Sequence, residues 1–96
     1  MAIKTRVFDA ASYLDGEEAI AEYLTAALET ADASFIADAL GIVARAKGMT
    51  RIAEEAGLGR ESLYKSLREG ANPELATVLR VIRALGLRLT VAPAVG

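Results

Sequence analysis

Apolar residues recur every three or four positions through most of this 96-residue chain and every second position near its two ends. The first pattern belongs to helices with one buried face, the second to strands with one buried face. Ile3 to Phe8 (IKTRVF) alternates and predicts a short strand. Asp9 then caps a single helical turn, Ala10 to Leu14, and a longer helix runs from Gly16 to about Glu29. Asp15 and Glu18 supply a D-x-x-E version of the capping box at its start. Its inward stripe is Ile20, Leu24, Ala27 and Leu28, with Tyr23 at the margin. The next helix begins after Asp32, a favoured N-cap residue type. It carries Phe35, Ile36, Ala39, Leu40, Val43 and Ala44 on one face and stops at Gly48.

The stretch MTRIAEEAGLGRESLYKSLR, Met49 to Arg68, reads as two short helices broken by a glycine turn. Thr50 caps the first, and Ile52, Ala53 and Ala56 fall on one inward face. Gly57 turns the chain, because only a residue without a side chain takes a left-handed conformation cheaply, and Leu58 plugs the angle. The second helix starts near Gly59 or Arg60, with Leu63 and Leu67 inward and Ser66 leaving room for a neighbour. Its other face carries Arg60, Glu61, Tyr64, Lys65 and Arg68 and is too polar for a core. A helix of this kind fits the major groove, where bidentate donors read guanine and flanking cations meet phosphate.

After the loop Glu69 to Asn72, Asn72 and Pro73 read as N-cap and first position of another helix. Leu75, Val78, Leu79, Ile82 and Leu85 recur at helical spacing up to Gly86. Leu87 to Val91 (LRLTV) alternates strictly and predicts a strand that Pro93 ends. It needs a partner, either Ile3 to Phe8 or its own counterpart in a second subunit.

The net charge of −2 argues against a nucleic-acid partner until it is divided along the chain. Residues 1–44 hold two cations against eight acidic residues, whereas residues 45–96 hold nine cations against five. This asymmetry points to two kinds of partner, phosphates for the basic half and something cationic for the acidic half. The plainer reading is that the carboxylates only solvate helix faces. The absence of Cys and His removes disulfides, thiolate metal sites and the commonest general base, leaving no catalytic residue, metal or cofactor in view. No apolar run approaches a membrane span of about 20 residues, and MAIKTRVFDA lacks a signal-peptide core, so a cytoplasmic protein is expected. At 96 residues a single small core is feasible, and burial between subunits would add to it.

The motif resembles the helix-turn-helix of Cro/Xre-type repressors, with Ala53, Gly57, Ile52, Leu58, Leu63 and Leu67 at the matching positions. Beyond it, KGMTRIAEEAGLGRESLYKSL and NPELATVLRVIRALGLRLTV, preceded by FDAASYLDGEEAIAEYL, are similar to the HigA-like antidote proteins of addiction modules. The family commonly has Ser where Gly59 stands, and without a hydroxyl Gly59 is not counted as a DNA contact. The resemblance implies a mainly α, five-helix Cro/Xre-like domain with short terminal β-strands. Its single domain divides into residues 1–32 (strand and acidic helices), 33–86 (helix-turn-helix core) and 87–93 (C-terminal strand).

The function so implied is that of a homodimeric antitoxin of a type II toxin-antitoxin module, binding a palindromic operator and repressing its own operon. Its second partner would be a basic RelE/HigB-like toxin that cleaves RNA. The candidate DNA contacts are Thr50, Arg60, Glu61, Ser62, Tyr64, Lys65 and Arg68; the candidate toxin contacts are Glu17, Glu18, Glu22 and Glu29. Tyr64 either packs beside the turn or reaches DNA, and Glu61 either accepts from a base amino group or simply favours the helix dipole. Arg45, Lys47 and Arg51 flank the motif where a phosphate strand would pass. The alternatives are a stand-alone prophage-type repressor without a toxin, and an interaction module that binds no DNA.

Overall fold

The computed structural model describes residues 16–95, which form five helices and, among these residues, no strand. They are α1 Glu17–Glu29, α2 Ala33–Lys47, α3 Met49–Ala56, α4 Arg60–Ser66 and α5 Leu75–Ala84. The expected strand at Ile3 to Phe8, the turn at Ala10 to Leu14 and the Asp15 half of the capping box lie outside the described residues.

One core joins all five helices. Ile20, Leu24 and Ala27 of α1 bury against α2, whose Leu40, Val43 and Ala44 meet Ile52 and Ala53 of α3. Val78, Val81 and Ile82 of α5 close the far side of α3, and Leu63 and Leu67 fill the angle between α3 and α4. No polar or charged residue is buried among the described residues, so this core is held by apolar burial and packing alone.

Local chemistry sets the breaks. Thr30 Oγ1 donates to the Ala27 carbonyl at 2.6 Å and accepts from Asp32 N at 3.2 Å, closing α1. Asp32 then caps α2 as expected, its Oδ1 accepting from Ser34 N at 3.0 Å and Phe35 N at 3.2 Å. α3 and α5 both end in a glycine at positive φ, 72° at Gly57 and 82° at Gly86. In each case two backbone bonds reach back into the last turn: Gly57 N to Glu54 O with Leu58 N to Ala53 O, and Gly86 N to Arg83 O with Leu87 N to Ile82 O. The half-buried Leu58 and Leu87 then fold onto the core. This is the Schellman arrangement, which an L side chain at the left-handed position would strain.

Several expectations are corrected. Thr50 does not cap α3, because Gly48, at φ 105°, is the junction that closes α2 and opens α3 at once, leaving Thr50 inside the first turn. α5 starts at Leu75 with Glu74 in the cap position and no side-chain bond to it; Asn72, at a position before proline where helical geometry is disfavoured, lies outside the helix. The stripes of α2 and α5 are rotated from those expected. Phe35, Leu75 and Leu79 are exposed, while Ala37, Gly41 and Val81 are buried in their stead. α2 is apolar around more than half its circumference, so hydrophobicity alone does not fix which arc faces inward, whereas in α5 the exposed Leu75 and Leu79 lie at one margin of the apolar arc whose other side is buried. The alternating Leu87 to Val91 forms no ladder among the described residues, and Val91 and Val95 are almost wholly exposed. A strand needs a second strand, and one expected partner, Ile3 to Phe8, is outside the described residues.

Candidate nucleic-acid interface

The α3 and α4 pair is set by its apolar residues, and its polar face is what they leave over. Ile52, Ala53 and Ala56 of α3 and Leu63 of α4 are buried, so α4 must show solvent the side opposite Leu63. Arg60, Glu61, Ser62, Tyr64 and Lys65 are all exposed there. Arg60, Tyr64 and the later Arg68 follow at intervals of four, as do Glu61 and Lys65, which gathers four of the candidate contacts onto one side of the helix. The Arg60 guanidinium carbon lies 5.5 Å from the Tyr64 ring centroid, a cation–π contact that holds both side chains over the same turn. Tyr64 is 38% exposed.

Arg68 is displaced from its expected place on the helix. α4 ends at Ser66, and Leu67 leaves helical geometry at φ −112°, ψ 63°, with its side chain fully buried. Arg68 is therefore exposed on the turn that follows, where it and Lys65 edge a depression of about 640 Å³ together with Glu69, Asn72 and Glu74. Thr50 is exposed on α3. Of the flanking cations, Arg45 is exposed and Lys47 half-buried. Arg51 Nε donates to Glu55 Oε2 at 3.4 Å, an exposed i,i+4 pair of the kind worth about 0.3–0.5 kcal/mol.

Two residues that sequence reasoning passed over position this unit. Gly41, in the middle of α2, is buried, and a Cβ there would collide with the Leu67 carbonyl oxygen and come within 3.1 Å of its carbonyl carbon. Only glycine lets the end of α4 come so close to α2. The signal was a glycine inside an otherwise strong helical pattern, a position that ordinarily has a packing reason. Ser34 is the other: its Oγ accepts from Gly70 N at 2.6 Å, tying the first turn of α2 to the turn carrying Arg68. The two residues are 36 positions apart, and nothing local announces the pairing.

The acidic candidates lie on a separate element. Glu17, Glu18, Glu22 and Glu29 are exposed on α1, which contains no lysine or arginine. The Glu17 carboxylate lies against Gly86, so α1 runs beside the end of α5. Half-buried Tyr23, on the same helix, has its phenol pushed above the ordinary value of 10.0 by burial and then by the nearby Asp38 carboxylate. Among the described residues no group of three or more acidic, His or Cys side chains could hold a metal ion. No helix among them is long and apolar enough to cross a membrane.

Residues 4–93 match the family model described as "Probable addiction module antidote protein". An uncharacterised protein of Haemophilus influenzae is 45% identical over 84 residues, covering 88% of this chain and 87% of its own length. No solved structure matches the chain. The family match spans both the acidic α1 and the exposed cationic row of α4, and the chain belongs to the probable addiction module antidote protein family.

Proposed function

We propose that the chain is the antitoxin of a type II module, a HigA-like protein with a Cro/Xre-type helix-turn-helix that represses its own operon. A homodimer presents α4 twice, to successive major grooves about 34 Å apart, and so selects a palindromic operator. The observation that carries this reading is the exposed row Arg60, Glu61, Tyr64 and Lys65, standing opposite the buried Leu63, with Arg68 on the turn beyond. Arg60 or Lys65 reads a base edge and the other cations meet phosphate; the cation–π contact with Tyr64 limits the rotamers Arg60 must give up on binding. Tyr64, Ser62 and Thr50 offer hydroxyls for phosphate oxygens.

The second partner is a small basic toxin of the RelE/HigB-like RNase type. A protein that holds RNA must itself be cationic, and the glutamates of α1 are the surface that complements it. A family of antidotes supports a toxin partner, and the separation of acidic and basic faces allows both partners to be held at once.

A gel-shift titration against the DNA upstream of the operon tests the DNA half. Arg60→Ala and Lys65→Ala each weaken binding by about tenfold or more, in line with roughly 1–3 kcal/mol per good base contact, while Glu18→Ala binds as the parent. Equal binding by all three removes α4 as the reading helix.

A further inference from the structure

α1 and the segment after α5 enclose an apolar groove that the DNA-reading unit does not use. Its volume is about 680 Å³, and Leu24 and Leu28 of α1, Ile82 of α5, and Leu87, Leu89 and Val95 line it. Leu89 is 39% exposed and Val95 99% exposed, so the wall formed by the C-terminal segment is apolar surface left open to water. Such surface, when contiguous and rimmed by polar residues, marks a contact site.

The rim shows what fits. Glu18, Glu22, Thr25 and Glu29 follow one another on α1 at spacings of four, three and four, a continuous ridge along the groove's α1 edge. Thr25 and Glu29 line the groove itself. The occupant therefore needs apolar side chains toward the floor and cations along one edge. Arg88, on the opposite wall, keeps a second row of cations from being welcome there.

We propose that this groove is the docking site of the toxin, which lays an amphipathic segment in it with apolar side chains between α1 and Leu87 to Val95 and lysines or arginines on Glu18, Glu22 and Glu29. This rests on the antitoxin reading above and adds to it. The acidic residues become the rim of the contact rather than its centre, and the C-terminal segment, which takes no part in the DNA surface, becomes half of the interface. Anchoring by a few buried apolar side chains inside a charged rim is the usual energetic layout of a tight contact.

The test uses the full chain and the basic protein encoded by the adjacent reading frame, purified as a complex and then separated. Thr25→Trp fills the groove from an exposed position, and Leu89→Asp puts a charge into its wall without touching the buried core. Leu79→Asp, on exposed apolar surface of α5 away from the groove, is the control. The expected result is a tenfold or greater loss of toxin affinity for the two groove variants, parent affinity for the control, and unchanged operator binding for all three. Parent-like toxin affinity in both groove variants overturns the site while leaving the antitoxin reading intact. If the parent itself binds no such protein, it is the antitoxin reading that fails, and the docking site with it. Two other occupants are separable. A change in molecular mass of the free protein with toxin affinity preserved assigns the groove to a second copy, and a lower melting temperature with toxin affinity preserved assigns it to residues 3–8 of the same chain. Either overturns the proposal.

Discussion

Gly41→Ala separates helix propensity from packing. In a solvent-facing helix interior this substitution stabilises by about 1 kcal/mol, because alanine loses less backbone entropy than glycine. Here the added methyl would strike the Leu67 carbonyl oxygen and crowd Arg45 Nη1 at 3.3 Å. The arginine tip can swing away, but the Leu67 backbone cannot retreat freely, because its side chain is fully buried and its N–H is bonded to the Leu63 carbonyl at 3.0 Å. Overpacking of this type costs about 1–3 kcal/mol, more where backbone must shift. Set against the propensity gain, the net is a loss of up to roughly 2 kcal/mol, or up to about 16 °C in melting temperature for a domain of this size. Urea unfolding followed by circular dichroism measures it, with an unchanged m-value showing that the unfolding unit is the same. Since Leu67 directly follows the last residue of α4, the same displacement should also weaken operator binding. A Gly41→Ala protein more stable than the parent would refute the close approach of α2 to the end of α4.

Three further perturbations follow from the local chemistry. Asp32→Ala removes the acceptor for Ser34 N and Phe35 N and should cost about 1 kcal/mol in the same unfolding assay; no loss would mean that water serves the first turn of α2 equally well. Gly59→Ser places a capping hydroxyl before α4 where the backbone is already extended (φ −70°, ψ 141°) and a Cβ meets nothing closer than Ser62 Oγ at 3.8 Å. It should stabilise by a few tenths of a kcal/mol and tighten DNA binding, and a loss of stability would contradict the assigned cap. Tyr23 has its folded pKa raised, so its contribution is complete below the unfolded value near 10.0 and is lost as pH rises through the folded one. Tyr23→Phe should therefore flatten the fall in stability above pH 10 that the parent shows in thermal melts, and an unchanged alkaline limb would refute the assignment.

How far the sequence could be read depended on whether a signal was local. Gly57 and Leu58, Asp32, the start of α4 at Arg60 and the inward Ile52, Ala53 and Leu63 all rest on one or two adjacent residues, and the structure has them where the pattern puts them. Helix orientation is a different matter. Phe35, Leu75 and Leu79 are as apolar as the residues that are buried, and only the width of the assembled core decides which arc is inside. The helix boundary at Ser66 has no local signal either: Leu67 has good helical propensity, yet it leaves the helix where its carbonyl packs against Gly41 of α2. The Ser34 to Gly70 bond and the contact of Gly41 with Leu67 are tertiary, and no spacing rule encodes them. The polar row of α4 is legible because a short helix with one buried face has little choice of what to expose, whereas Arg68, at helical spacing from Tyr64, lies exposed on the turn beyond the end of α4.

The most direct test of the account is a hydroxyl-radical footprint of the purified protein on the DNA upstream of its operon. Two protected patches related by a palindrome and centred about one helical turn, roughly 34 Å, apart, with both lost in the Arg60→Ala protein, are the predicted result. Uniform cleavage at all protein concentrations, or protection that survives removal of Arg60 and Lys65 together, would contradict the assignment of the exposed α4 face to operator DNA.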